Sequence, residues 1–559
     1  MLNVSSFPRP SLARLPLLVP LVFAVLLMAD MATIFAGRMT YPYDLEWMEG
    51  GMLTHAWRVH HGLPLYVEPS PEFIPMIYPP GYPTLLAVLG WVFPLGHGLG
   101  RAVSLLGTGL AASALVFLGW RHAKSPALGL IGAAIYFGCY PNAGAFQDLV
   151  RPDALFVGLL AWSMVLAPEQ RQRLRDLSAL LLFAAFTVKH NAAAFGVPLA
   201  LGLWARHGWR AALRWGVLAA SLGGAFTLAM DLTSDGNFTA YILDVPRSHP
   251  IVDNRVHPGT IRELSHAVAW PLAVLCGWAL AALATQGPRL LRAVGVLSAI
   301  AAAAWVIPQM GELPMVPGIQ RATPTEAQVG YAALAVLPIA TCFAALAMVW
   351  DRRVRWGWVF LGGIGVVAFG MTALMRGHHG GYVNVFMFAH WGTAAACILA
   401  VGWLMRTVWT SVATTLAAVV LSLHLSTAHE RLTPDRYIPT AADIEAGDAV
   451  VAELAKQEGP VLSPFAPWLA AQAGHAPGYH LIALWDVRHP EGPFRDKVRD
   501  VTSAILSKEY GVVVDAPQSM GFGVAKTYDI TLEHDFGPRI LFPKTGWRKR
   551  PTVLRTPKD

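Results

Sequence analysis

Long apolar runs separated by short polar breaks recur along the chain from Leu15 to Leu425. A helix needs about 20 such residues to cross about 30 Å of hydrocarbon, and in lipid every backbone group must be satisfied within the segment. The runs therefore predict helical spans at about 15–35, 102–120, 126–140, 153–167, 177–190, 192–206, 211–232, 268–286, 291–308, 329–350, 356–375, 381–403 and 407–425, thirteen in all. Basic clusters between them mark inner loops: Arg121 to Lys124, Arg171 to Arg175, Arg206 to Arg210, Arg289 to Arg292, Arg352 to Arg355, and Arg406. Arg9 and Arg14 place the N-terminus on the same side, and the first run reads as an uncleaved anchor. Residues Tyr82 to Leu95 are apolar but short, and they open on Pro79, Pro80, Gly81 and Pro83. Counting them would reverse the sidedness of Arg121 to Lys124, so a re-entrant or juxtamembrane helix is expected there.

The pattern changes after about Arg431. Charges of both signs return, short apolar runs appear at Val461–Leu462 and Val512–Val514, and Ala441–Lys456 has a helical pattern. The expected organisation is a membrane domain over 1–430, with a first outer loop at 38–81, and a small soluble α/β domain over 431–559 on the outer side. Composition agrees. Hydrophobic residues are 55% and charged residues 14% of the chain, with a mean hydropathy of +0.45; soluble domains carry about 25% charged residues. The net charge of +7 lies mostly in loops, so it reads as topology and not as a nucleic-acid surface. Cys139, Cys276, Cys342 and Cys397 all fall in apolar segments, where core packing is expected and no metal or disulfide spacing arises.

Candidate chemistry gathers at the outer ends of the spans. Asp44, Glu46 and Glu49 form an acidic cluster just after the first span. Glu46 and Glu49 are three apart, so a helical turn would put them on one face. Clustered carboxylates raise one another's pKa and so supply a general base; the same cluster suits a hard divalent cation, or a solvated helix start. Asp148, Arg151 and Asp153 form a second cluster leading into a span. Lys189, His190 and Asn191 interrupt an apolar stretch, and an ionisable residue there reads as functional, with Lys189 offered to a phosphate. Arg376, His378, His379 and Asn384 flank a glycine-rich turn suited to phosphate, while Arg247, His249, Arg255 and His257 lie in another outer loop.

In combination these residues resemble the GT-C superfamily of integral-membrane glycosyltransferases, of family 39 type. The likeness is to its aminoarabinose transferases, protein O-mannosyltransferases and rhizobial lipopolysaccharide galacturonosyltransferases. It is carried by Asp44-Leu-Glu46-Trp-Met-Glu49-Gly50, then Gly62-Leu-Pro-Leu-Tyr66, the Tyr78-Pro-Pro-Gly-Tyr82 corner, Arg151-Pro-Asp153, Lys189-His190-Asn191 and Gly381-Tyr-Val-Asn384. The chain departs from the family's Asp-Glu-Gly pattern, because Met48 stands where the Asp would be. The resemblance implies transfer of a hexosyl or pentosyl group from a polyprenyl-phosphate-linked donor to a hydroxyl of a lipid, glycan or protein acceptor. The reaction would invert the anomeric centre at the outer face of a bacterial-type inner membrane. Asp44, Glu46 or Glu49 would be the base. Lys189, His190, Arg376 and Asn384 would hold the donor phosphate, and Tyr66, Tyr78, Tyr82, Arg247 and Arg255 would lie along the substrate. No cofactor is fixed by the resemblance, and a divalent cation stays open. A transporter or flippase of a lipid-linked saccharide is the main alternative. It calls for polar residues spread along the spans, which this chain instead gathers at one end. A scaffold is the third reading.

Overall fold

The computed structural model describes residues 12–285, 288–306, 308, 324–350, 356–406 and 410–559. Every expected span corresponds to a helix. Among the described residues eight are long and apolar enough to cross a membrane: Leu15–Met39, His97–Arg121, Trp209–Leu232, Arg255–Thr285, Arg289–Val306, Thr325–Leu346, Val383–Leu404 and Ser411–Arg431. The other five expected spans are shorter or less apolar helices, among them Pro126–Gly138, Pro152–Leu166 and Gln172–Val188. Arg9 and the Arg352 to Arg355 cluster lie outside the described residues. The segment after the proline corner forms the helix Gly81–Leu89, whose 9 residues are too few to span.

Local chemistry explains several boundaries. Ser125 caps the helix at 126–138, accepting from the Leu128 amide, with Pro126 preset at the first position. Pro152 opens the next helix in the same way. Small residues then let helices approach closely: a Cβ placed on Gly107 would meet the Leu155 backbone at 2.5 Å, which seats 97–121 against 152–166. Gly81 plays a similar part, its Cα lying so near the Thr187 carbonyl that a Cβ would sit 2.6 Å from it. The proline corner is thus packed on the end of Gln172–Val188, just before Lys189. Cys139, Cys276 and Cys397 are buried as expected, whereas Cys342 is exposed on its helix.

The C-terminal domain starts with the helix Ala441–Leu454, closed by a capping box between Thr440 and Asp443. Its sheet contains β1 (Val461–Leu462), β2 (Val512–Asp515), β3 (Tyr528–Glu533) and β4 (Val553–Pro557), in the order β1-β2-β4-β3. β1 and β2 are parallel and the other pairings antiparallel. β2 is wholly buried, and Arg555 Nε donates to Asp515 Oδ2 at 2.9 Å behind it.

The domain sits on the first loop. The amides of Lys544 and Thr545 both donate to the Leu45 carbonyl, at 2.7 and 3.2 Å. His480 accepts from the Ile482 amide through Nδ1, which leaves Nε2–H to donate to the Trp47 carbonyl at 2.8 Å. Trp47 in turn packs on Trp547 and Trp485, with ring centroids 5.0 and 6.0 Å away. Gly546 also approaches the loop closely. Its φ is +73°, and a Cβ there would meet Glu46 Oε1 at 2.7 Å. Gly546→Ala is expected to add a strained backbone to a clash with a buried carboxylate, lowering the melting temperature and exposing the domain to limited proteolysis. Gly537→Ala is the control: its φ is +79° but its Cβ would meet nothing, so it should show only the backbone strain of roughly 1 kcal/mol.

Candidate active site

The first loop does not form the expected single acidic face. The helix begins at Glu49, and Asp44 and Glu46 precede it in irregular backbone. Each acid consequently has its own surroundings. Glu49 is turned back on the loop: its Oε2 accepts from the Leu45 amide at 2.6 Å and from Arg101 Nη2 at 2.8 Å, while Oε1 accepts from Arg101 Nε at 3.2 Å and from the Val150 amide at 2.7 Å. Burial alone would raise its pKa, but the Arg101 charge and these hydrogen bonds outweigh it and bring the carboxyl down to about 2. Arg101 also donates to the carbonyls of Arg38, Tyr41 and Tyr43. One guanidinium therefore fixes both the acid and the loop's path.

Glu46 lies under the C-terminal domain, 1% exposed. Its Oε2 accepts from Arg151 Nη1 at 3.2 Å and from the Met48 amide at 3.3 Å. Burial is the dominant influence and Arg151 offsets only part of it, so the carboxyl is pushed up to about 8. Asp44 accepts from His97 Nε2 at 2.7 Å through Oδ1, and its buried Oδ2 has no protein partner. Burial raises its pKa too, against the pull of His97.

Arg151 joins this loop to the membrane helices. Besides Glu46 it donates to the Tyr78 hydroxyl at 2.7 Å, and its Nε lies 3.9 Å from Asp153 Oδ2. Asp153 Oδ1 accepts from Lys189 Nζ at 2.7 Å and from Asn384 Nδ2 at 2.8 Å. Lys189 occupies the break between Gln172–Val188 and the turn His190–Phe195, as its polar neighbours predicted. Lys189, Asn384 and Asp153 line a pocket whose remaining wall is largely apolar, including Phe156, Phe195, Met371, Met375 and Phe388. A lysine ammonium has three donors, and Asp153 takes one of them.

The other expected site residues are placed differently. Asp148 pairs with Arg38 Nε at 2.8 Å, with burial raising its pKa against the arginine's pull. Tyr66 donates to the Tyr78 carbonyl at 2.7 Å, and Tyr82 donates to the Gly100 carbonyl at 3.0 Å, so both brace the proline corner. Arg376 is held bidentately by Glu263, at 2.6 and 2.8 Å, and donates to the Gly381 carbonyl, which shapes the turn before Asn384. His190 is half-buried beside Lys189 but does not line the pocket. Arg247 is exposed against Asp244, and Arg255 donates to the His379 carbonyl at the surface. The structure brings neither into the cluster.

Sequence reasoning missed His97 and Arg101. They lie four apart at the start of a span, which puts both on one helix face, and that spacing was the available signal. The ligand atoms of Asp44, Glu49 and His97 come within 4.8 Å of one another. That set fits a divalent cation poorly, because both Glu49 oxygens are already committed to Arg101 and to backbone amides.

No protein-family model matches the chain, and no curated protein matches it. Among solved structures the chain is similar to ArnT from Cupriavidus metallidurans in the apo state, at 15% identity over 95% of this chain and 97% of that one, with a TM-score of 0.44. It is similar to the same protein bound to undecaprenyl phosphate, at 14% identity over 95% and 97%, with a TM-score of 0.43. The arabinosyltransferase EmbB from Mycobacterium smegmatis matches at 14% identity over 81% of this chain and 43% of that one, with a TM-score of 0.28. Likenesses this distant leave the functional reading to rest on the site.

Arg101→Leu would strand a buried Glu49 carboxylate and three backbone carbonyls, so a loss of about 3–5 kcal/mol is expected in thermal or denaturant unfolding. Glu46 gives a pH signature. Its stabilising proton is bound below the ordinary value of 4.5 in folded and unfolded chains alike, and only in the folded chain between there and about 8. Stability should therefore fall as pH rises through that window. Glu46→Gln should flatten the fall in melting temperature measured across it.

Proposed function

We propose that the chain is a membrane glycosyltransferase that moves a sugar from a polyprenyl-phosphate donor to an acceptor hydroxyl at the outer face of the membrane, with inversion. The observation that carries this reading is the chain of contacts from Glu46 through Arg151 to Asp153 and Lys189, which joins an acid loop to an apolar pocket with a lysine at its polar end. Such a cavity suits an isoprenoid tail, and Lys189 suits its phosphate. The early resemblance to GT-C transferases, drawn from sequence motifs, points the same way.

In this mechanism Asp44 is the general base. Its buried Oδ2 has no protein partner, and His97 orients it through the other oxygen. The acceptor oxygen attacks the anomeric carbon from the face opposite the phosphate as Asp44 takes its proton. The bond from the anomeric carbon to the phosphate oxygen breaks, and polyprenyl phosphate leaves with the electron pair. Lys189 and Arg151 compensate the charge that grows on that oxygen. Glu46 holds Arg151 in place, and Glu49 serves the loop's geometry.

Transfer of labelled sugar from polyprenyl-phosphate donors in membranes tests this, comparing wild type with Asp44→Asn, Glu46→Gln and Glu49→Gln at equal expression. Asp44→Asn is expected to lose transfer by about 10²–10⁴-fold while still binding undecaprenyl phosphate. The same selective loss in Glu46→Gln instead would move the base to Glu46. If no donor is consumed, or none of the three changes transfer, the catalytic reading fails and lipid transport becomes the better account.

A further inference from the structure

A second pocket lies at the seam between the first loop and the C-terminal domain. Its lining includes Tyr43, Asp44, His97, Phe465, Trp468 and Gln472. Two of these side chains carry buried oxygens with no protein partner, Asp44 Oδ2 and Gln472 Oε1. Neither is free to reorient. His97 takes the other Asp44 oxygen at 2.7 Å, and Gln472 Nε2 donates to the Pro42 carbonyl at 3.0 Å, which leaves the amide oxygen as the unused end.

Both orphaned atoms accept hydrogen bonds, so the group that satisfies them must donate. A carboxylate has only acceptors at neutral pH, and it or a phosphate would meet Asp44 with like charge. A cation is disfavoured by Lys549, which also lines the cavity. Hydroxyls remain. Around them the rings of Tyr43, Phe465 and Trp468 offer apolar surface, a few placed polar atoms among aromatic walls being the usual make-up of a small-molecule site. A sugar ring matches this arrangement, with C–H faces for the aromatic rings and a rim of hydroxyls for the two oxygens.

We propose that this cavity is the acceptor subsite and that the acceptor is a neutral saccharide, whose reacting hydroxyl donates to Asp44 Oδ2 while another donates to Gln472 Oε1. This rests on the transferase reading and adds to it the chemistry of the acceptor. The donor cavity at Lys189 shares none of these residues, so the two substrates reach the centre by separate routes, one among the helices and one beneath the domain.

The test uses the full chain in nanodiscs, titrated with a panel of neutral hexose and pentose disaccharides by saturation-transfer NMR, with undecaprenyl phosphate binding measured in parallel. At least one neutral disaccharide is expected to bind, and its phosphorylated counterpart to bind more weakly. Trp468→Ala and Gln472→Leu should each weaken saccharide binding by roughly tenfold or more, with undecaprenyl phosphate binding at the wild-type level. Gln472→Glu keeps an acceptor oxygen in place and should retain more binding than Gln472→Leu. The proposal is overturned if undecaprenyl phosphate binds but no neutral saccharide does. It is equally overturned if saccharide binding ignores both Trp468→Ala and Gln472→Leu, or if the phosphorylated sugars bind better. Failure of wild type to bind undecaprenyl phosphate or consume any donor would instead remove the transferase reading, and this assignment with it.

Discussion

A carboxylate taken out of water has to be neutralised where it sits, and the Glu49–Arg101 pair meets that demand at the end of the helix bundle. Neither side chain has measurable exposure. Arg101 comes from the first turns of 97–121, Glu49 opens the loop helix, and the Val150 amide that completes the carboxylate's shell belongs to the segment before 152–166. Three parts of the chain far apart in sequence are thus tied to one charge. The path of the first loop, and with it the positions of Asp44 and Glu46, depends on that tie.

Around this anchor the acids are graded by what surrounds them. Glu49 is saturated with donors and held low, Glu46 is half satisfied and raised by burial, and Asp44 keeps an oxygen in reserve. Three carboxylates within six residues thereby sit in three different environments. A network fully supplied with donors becomes rigid, while one missing a donor keeps capacity for a substrate proton. The same logic holds at the other end of Arg151. Asp153 is met by Lys189 and Asn384 and holds them at the mouth of an apolar cavity.

The C-terminal domain is part of this electrostatic design. By covering Glu46 with Gly546 and closing the Trp47, Trp485 and Trp547 cluster, it removes water from the loop, and removal of water is what raises the carboxyls. It also leaves an aromatic-lined pocket over Asp44. A domain that reads in sequence as an appended globular unit is therefore one wall of the site.

Much of the bundle was legible because a bilayer permits so few solutions. Apolar runs of about 20 residues, basic loops and proline-glycine breaks determined the helices, the short helix at 81–89 and the helical break at Lys189. The Asp153–Lys189 region was visible as charge where charge is costly. The division of labour among Asp44, Glu46 and Glu49 was not, because spacing suggests a shared helical face while the helix starts only at Glu49. Arg247 and Arg255 looked as eligible as Arg151, since residue type says nothing about which loop folds inward. His97 and Arg101 were hidden as ordinary polar residues at a span's start. Sequence by itself determined what each segment is, through the local rules of lipid and backbone. Only the tertiary structure decided which charge meets which, because burial and pairing are properties of neighbours that lie up to several hundred residues away along the chain.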